Sequence, residues 1–130
     1  MNKQIQQSLL ILHISLAILW IYQGLVPKIF YHASDEQRLW ELNGFEEITF
    51  LFLIELAGYA EIVFGLLFLI FRQNRLLHYF NIIAMCALAL LVVVSDIAYF
   101  KQAFNPFVMN VSMATLSIVA IQLLKIEKLS

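Results

Sequence analysis

Four apolar runs, at about residues 8–26, 48–71, 76–99 and 106–124, leave this chain few ways to fold. At 1.5 Å of helical rise per residue, each is long enough to cross a hydrocarbon core roughly 30 Å thick. Inside such a core every backbone N–H and C=O must be bonded within the protein, and a run of this length does that as a helix. The expected fold class is therefore all-α: an integral membrane four-helix bundle forming one domain over residues 1–130. Composition agrees, with 62% hydrophobic and only 13% charged residues, where a soluble domain has about 45–50% and a quarter. The first run reads as an uncleaved span, since no small-x-small cleavage site follows it. The net charge of -1 comes without a basic stripe, which excludes a nucleic-acid partner and leaves the lipid bilayer as the principal one. A lone cysteine, Cys86, excludes an intramolecular disulfide and a C-x-x-C redox pair.

The connections give the bundle its order. Residues 27–47 form the longest one. Ser34-Asp35-Glu36-Gln37 has the form of a capping box and Asn43-Gly44 that of a helix stop. Between them the spacing predicts a short interfacial helix anchored by Trp40, with a solvated loop as the alternative. Asn105 and Pro106 fit the N-cap and first position of the fourth span. Short loops favour antiparallel neighbours. Both termini and the second loop then share a side carrying Lys3, Arg72, Arg75, Lys125 and Lys128, against Lys28, Arg38 and Lys101 opposite. That bias puts both termini in the cytoplasm.

Polar residues inside the apolar runs are the candidates for function. Glu55 and Glu61 lie in the second run, where a carboxylate costs at least roughly 2.5 kcal/mol. Glu55 falls about 10 Å below the loop surface, and Glu61 near mid-membrane. Gly58 and Gly65 flank Glu61 on neighbouring faces and admit a close helix. On the first span His13, Ala17, Trp20 and Gly24 share a face suited to the interior, with Gln23 near its end. Asn81, Met85, Leu88, Val92 and Asp96 make a stripe on the third, and Asn110, Met113 and Ser117 one on the fourth.

The up-down arrangement gathers Gln23, Lys28, Glu55, Asp96, Asn105 and Asn110 in the non-cytoplasmic half, with Glu61 deeper. These are expected to line one polar pocket. Lys28 is expected to pair with Glu55 or Asp96 by curling its stem inward. Glu61 has no evident cation at its depth; holding its proton, it could donate a hydrogen bond to a carbonyl such as a quinone's, or relay a proton. The alternative is that these groups serve only as hydrogen bonds between helices.

Other chemistry has little support. His13 reads as a satisfied interior histidine; haem would need His78 as its second ligand. His32 lies in the loop. No H-E-x-x-H or comparable spacing is present, so neither metal nor haem is expected. No nucleophile–base pair, phosphate loop or dinucleotide fingerprint occurs, so the chain is not expected to be an enzyme on its own. Phe68, Phe71, Tyr79 and Phe80 read as an aromatic belt at the cytoplasmic interface.

The runs Leu19-Trp20-Ile21-Tyr22-Gln23-Gly24-Leu25-Val26-Pro27-Lys28, Gly58-Tyr59-Ala60-Glu61-Ile62-Val63-Phe64-Gly65 and Phe104-Asn105-Pro106-Phe107 with Asn110 resemble the DoxX-like family. The resemblance implies a small four-span protein of the bacterial plasma membrane. It directs attention to Lys28, Glu61, Asn105 and Pro106. The family takes its name from a subunit of a thiosulfate:quinone oxidoreductase, and some relatives carry a fused dehydrogenase-like domain that this chain lacks. Three readings stand: a subunit or accessory protein, alone as a homo-oligomer or within a membrane complex; a quinone- or sulfur-linked redox subunit; and a small proton-coupled transporter.

Overall fold

The computed structural model describes residues 2–129. Four helices are long and apolar enough to cross a membrane: α1 (Lys3–Gly24), α3 (Glu47–Ile70), α4 (Arg75–Ser95) and α5 (Pro106–Leu129). A short α2 (Ser34–Leu42) joins the first two. There is no strand among the described residues. The fold is an all-α membrane bundle.

Helix ends follow their caps. Asn2 and Asn74 each accept a backbone N–H two residues on, and so start α1 and α4. Asn105 accepts from Val108 N–H at 3.3 Å and starts α5. α4 stops at Ser95, earlier than the apolar run, and residues Ile97–Lys101 tighten into a 3₁₀ turn. α5 continues past the apolar run to Leu129.

Pro27 was expected to end the first span, but the chain stays helical to Phe30. Proline lacks the N–H that would bond back to residue 23, and its ring crowds that carbonyl. The helix accommodates this by widening: Tyr31 N–H reaches the carbonyl of Val26 at 3.1 Å, five residues back. Such π-helical turns shift the residues after them around the axis. Lys28 is therefore carried on a rigid helix, where a loop was expected.

α1 packs chiefly on α3, and α4 on α5, with α1 also touching α5. Glycines set the first contact. A Cβ on Gly24 would stand 2.3 Å from the Gly58 carbonyl oxygen, and one on Gly58 2.7 Å from that of Gly24. Gly65 faces Ile21, Ala17 and Trp20, which a Cβ would meet at 2.9, 3.0 and 3.1 Å. The backbones thus touch, as small residues permit between membrane helices.

The core runs through Leu16, Ala17, Trp20, Phe68, Leu77, Met85 and Met113. Phe68 is fully buried, edge-on to Phe64 and against His78, so it does not belong to the aromatic belt. Phe71, Tyr79 and Phe80 are exposed. Outward positions of every span are large and apolar, among them Ile18, Phe52, Ile83 and Val94. Lipid tails suit that surface and water does not.

Candidate functional site

The close crossing of Gly24 over Gly58 decides where the charges meet. Lys28 lies one helical turn beyond Gly24, and Glu61 nearly one turn beyond Gly58. The widened turn at 25–30 aims Lys28 across this crossing. Its Nζ stands 3.5 Å from Glu61 Oε1 and also contacts Glu36 Oε1 on α2. Lys28 was expected to pair with Glu55 or Asp96; it joins Glu61 and Glu36 instead. The reason is the helical continuation through Pro27, which holds Lys28 against α3. Glu61, expected to lack a cation at its depth, thereby has one.

Glu55 and Asp96 are used elsewhere. Glu55 Oε1 is 2.9 Å from His32 Nε2, on the outer side of α3, with its side chain 47% exposed. The 120° between Glu55 and Glu61 around the helix accounts for their separate partners. Asp96 pairs with Arg38 of α2 at 3.0 Å. Asn43 on the C-terminal edge of α2 donates to Ser95 Oγ at 3.0 Å. His32, at φ 45°, makes the sharp turn into α2, and Gln37 Nε2 donates to its carbonyl. These contacts tie α2 across the ends of α3 and α4, as a roof.

Beneath that roof is a cavity of about 140 Å³. Trp20, Gln23 and Lys28 line it from α1, Asp35 and Glu36 from α2, Glu61 from α3 and Asn110 from α5. Tyr99 and Met109 complete the polar side. Of the residues that the sequence singles out, Glu61, Lys28, Gln23 and Asn110 come together here. Glu55, Asp96 and Asn105 do not: Asn105 is occupied as the cap of α5 and by its donation to Gln102 O at 2.9 Å.

Two atoms in this cavity lack partners. Glu61 Oε2 and Asn110 Nδ2 are both buried, with no hydrogen bond. One is an acceptor and the other a donor. Gln23 donates only to the Met109 sulfur, a weak acceptor, at 2.9 Å. Buried polar groups left so are uncommon and costly, at about 1–3 kcal/mol each. Tyr99 stands just outside the spans. Burial, with the carboxylates of Asp35, Glu36 and Asp96 adding to it, pushes its phenol above the usual value of 10.

Several of these residues escaped the sequence reading. Asp35 and Glu36 lie in a connection, where periodicity says nothing of what folds over what; Tyr99 ends the third apolar run in sequence, but α4 stops at Ser95 and leaves it in the turn that follows. The capping-box pattern was the available signal, because it puts Glu36 in the first turn of α2. The sequence considered His78 with His13 only as a second haem ligand; their Nε2 atoms are 3.1 Å apart. That separation is a direct hydrogen bond with no room for an iron between them. No cluster of three or more metal-ligating side chains occurs among the described residues.

The model of the DoxX-like family matches residues 17–118, which take in most of α1 through the middle of α5. No curated protein and no solved structure matches the chain.

Proposed function

The chain belongs to the DoxX-like family, and from that premise we propose that it is a small membrane subunit or accessory protein whose cavity holds the ring of a quinone or quinol. The observation that carries this is the pair of unpartnered atoms, Glu61 Oε2 and Asn110 Nδ2, in one cavity. An atom that served only to hold helices together would be bonded to another helix, as Glu61 Oε1 is to Lys28. In a quinol one hydroxyl can donate to Glu61 Oε2 while the oxygen of the other accepts from Asn110 Nδ2; a quinone carbonyl can likewise accept from Asn110. Size supports the same class: about 140 Å³ is close to the 150 Å³ or so that accepts a benzene ring, well under the 300 Å³ or more of drug-sized sites. An isoprenoid tail would lie outside, among lipid.

Lys28 supplies the counter-charge that lets Glu61 stay in so apolar a place, and α2 keeps water from the ring. A bound quinone would supply the electron-accepting group; this chain's residues bind and orient it, and electrons come from another protein. We place the chain in a bacterial plasma membrane with both termini in the cytoplasm, on the strength of the basic residues at that end. The cavity then lies toward the opposite face.

The test is a titration of gently purified protein in lipid nanodiscs with a short-tailed quinol, followed by its fluorescence. Saturable binding is expected, lost in Glu61→Gln and in Asn110→Leu while helicity is retained. Absence of saturable binding by the wild type, or unchanged binding by both variants, would overturn the assignment.

A further inference from the structure

Charge is divided unevenly between the two ends of the bundle. Glu55 and Glu61 apart, the end with α2 holds six acids and three Lys or Arg. The end with both termini holds Lys3, Arg72, Arg75, Lys125 and Lys128 against a single acid, Glu127. Lys3 and Arg72 take part in none of the ion pairs among the described residues. A cationic surface without counter-charges of its own attracts an anion.

Those two cations share a hollow of about 520 Å³ between the first turns of α1 and the α3–α4 turn. Gln6, Gln7 and Gln73 complete its polar rim, and Leu9, Leu10 and His13 form its floor. Arg72 Nε donates to the Leu69 carbonyl at 3.1 Å, which fixes the guanidinium and leaves both terminal nitrogens unengaged among the described residues. His13 is already engaged. Its Nδ1 is 2.6 Å from the Leu9 carbonyl and its Nε2 is 3.1 Å from His78 Nε2. His78 Nδ1 lies 3.2 Å from Ser117 Oγ, to which Asn81 Nδ2 donates at 2.7 Å. Asn81 Nδ2 is also 3.1 Å from the Met113 carbonyl, and its Oδ1 accepts from Trp20 Nε1–H at 2.8 Å. This histidine chain is fully buried and closed at its ends by a carbonyl and an amide, so it locks α1, α4 and α5 together beneath the hollow.

Depth adds a second constraint. Lys3, Gln6 and Gln7 precede the first apolar run, and Leu9 and Leu10 open it. Arg72 and Gln73 follow directly on the end of α3 at Ile70. The donors therefore stand at headgroup level and the floor at the start of the hydrocarbon.

We propose that this hollow binds the headgroup of an anionic phospholipid of the leaflet around both termini, with Arg72 and Lys3 on the phosphate. A phosphodiester spreads one negative charge over two free oxygens, which suits the fork of an arginine and an ammonium beside it. Carboxamides both donate and accept, as the hydroxyls of a glycerol headgroup require. A choline headgroup adds a cation, and no carboxylate lines the hollow to receive it among the described residues. The hollow lies within the roughly 300–1,000 Å³ of sites that hold small molecules. Acyl chains separate a lipid from free phosphate. Leu10 at the edge of the hollow and Ile14 one turn on are exposed, and they give such a chain an apolar surface to follow. Basic pockets between membrane helices hold acidic headgroups in this manner. On the proposed orientation the leaflet is the cytoplasmic one, whose surface is negative.

The experiment titrates the whole protein in detergent with dioleoyl phosphatidylglycerol and, separately, with dioleoyl phosphatidylcholine, and counts the complexes by native mass spectrometry. One phosphatidylglycerol is expected to bind more tightly than any phosphatidylcholine. Lys3→Gln/Arg72→Gln is expected to weaken that first binding about 25-fold, at roughly fivefold for each basic residue. Lys125→Gln/Lys128→Gln removes the same charge from the same end and is expected to leave it near the wild-type value. Lys3→Glu, at an exposed position, should abolish the preference without touching the bond from Arg72 to Leu69, so a misfolded double variant does not end the test. Equal affinity for the two lipids, or equal loss in the two double variants, would refute the site and reduce it to diffuse charge. Glycerol 3-phosphate is the last arm. It is expected not to displace the lipid at equal concentration; displacement would mean a site for soluble phosphate, and the lipid assignment would fall.

Discussion

Substituting Gly24 by alanine tests the contact from which the site follows. The added Cβ would lie 2.3 Å from the carbonyl oxygen of Gly58, about 1.1 Å inside the 3.4 Å of ordinary contact. It would also meet Glu61 Cβ and Ile62 Cγ1 at 3.1 Å each. The principal obstacle is backbone, which cannot rotate away, so α1 and α3 must separate. Overpacking of this kind costs about 1–3 kcal/mol; we expect the upper part of that range, partly offset because alanine favours a helix by up to about 1 kcal/mol over glycine. Separation also lengthens the Lys28–Glu61 contact, already 3.5 Å. Unfolding in mild detergent, followed by the near-ultraviolet dichroism of Trp20 and Trp40, measures the change. Val63→Ala, on the exposed face of α3, is the control and should shift far less. Gly24→Ala unfolding together with wild type would mean that the helices do not touch there, and the account of how Lys28 reaches Glu61 would fall with it.

Three further outcomes follow from named contacts. Lys28→Met strips the cation from Glu36 and Glu61, whose pairs with it are only partly exposed, and should destabilise by about 3 kcal/mol; Asp96→Asn loses only the pair with Arg38, itself 62% exposed, and should cost under about 1 kcal/mol. Equal losses in the same unfolding assay would contradict the ranking. Trp20→Phe keeps the ring's packing against Phe64 but leaves Asn81 Oδ1 without its donor, an expected loss of about 1–3 kcal/mol, read by thermal unfolding. The Tyr99 phenol holds its proton more tightly folded than unfolded, so its contribution to stability is full below pH 10 and declines as pH rises above it. The tyrosinate absorbance of wild type minus Tyr99→Phe should show that step above pH 10; a step at or below 10 would be wrong for a buried phenol among carboxylates.

What the sequence made legible was whatever repeats at helical spacing. The face of His13, Ala17, Trp20 and Gly24 is buried throughout, and the pattern carrying it needs nothing beyond 3.6 residues per turn. Asn110, Met113 and Ser117 are buried together for the same reason. Asn105 as cap is equally local, since side chain and capped N–H are three residues apart. The pairing of charges was not legible. Four acids, Glu36, Glu55, Glu61 and Asp96, compete for Lys28, and the outcome depends on whether the chain bends at Pro27 or widens through it, a choice of roughly one residue per turn that no periodicity records. Nor could the sequence say that His13 and His78, 65 residues apart, would lie at one depth with their rings edge to edge.

The same reasoning explains why the two polar structures differ in kind. In the histidine chain each described donor finds an acceptor, and the last carbonyl closes it. In the cavity one acceptor and one donor are left over, although Gln23 and Lys28 line the same space. Two sites in one bundle, built from the same four helices and under the same penalty for waste, would both be satisfied if both were there only for stability. On the proposed assignment a quinol satisfies both, one hydroxyl donating to Glu61 Oε2 and the oxygen of the other accepting from Asn110 Nδ2. Filling it with protein instead, by Asn110→Leu, removes the orphan donor and should raise stability toward lipid-embedded unfolding while abolishing quinol binding. A variant that bound quinol undiminished would break the link between the orphaned atoms and the ligand.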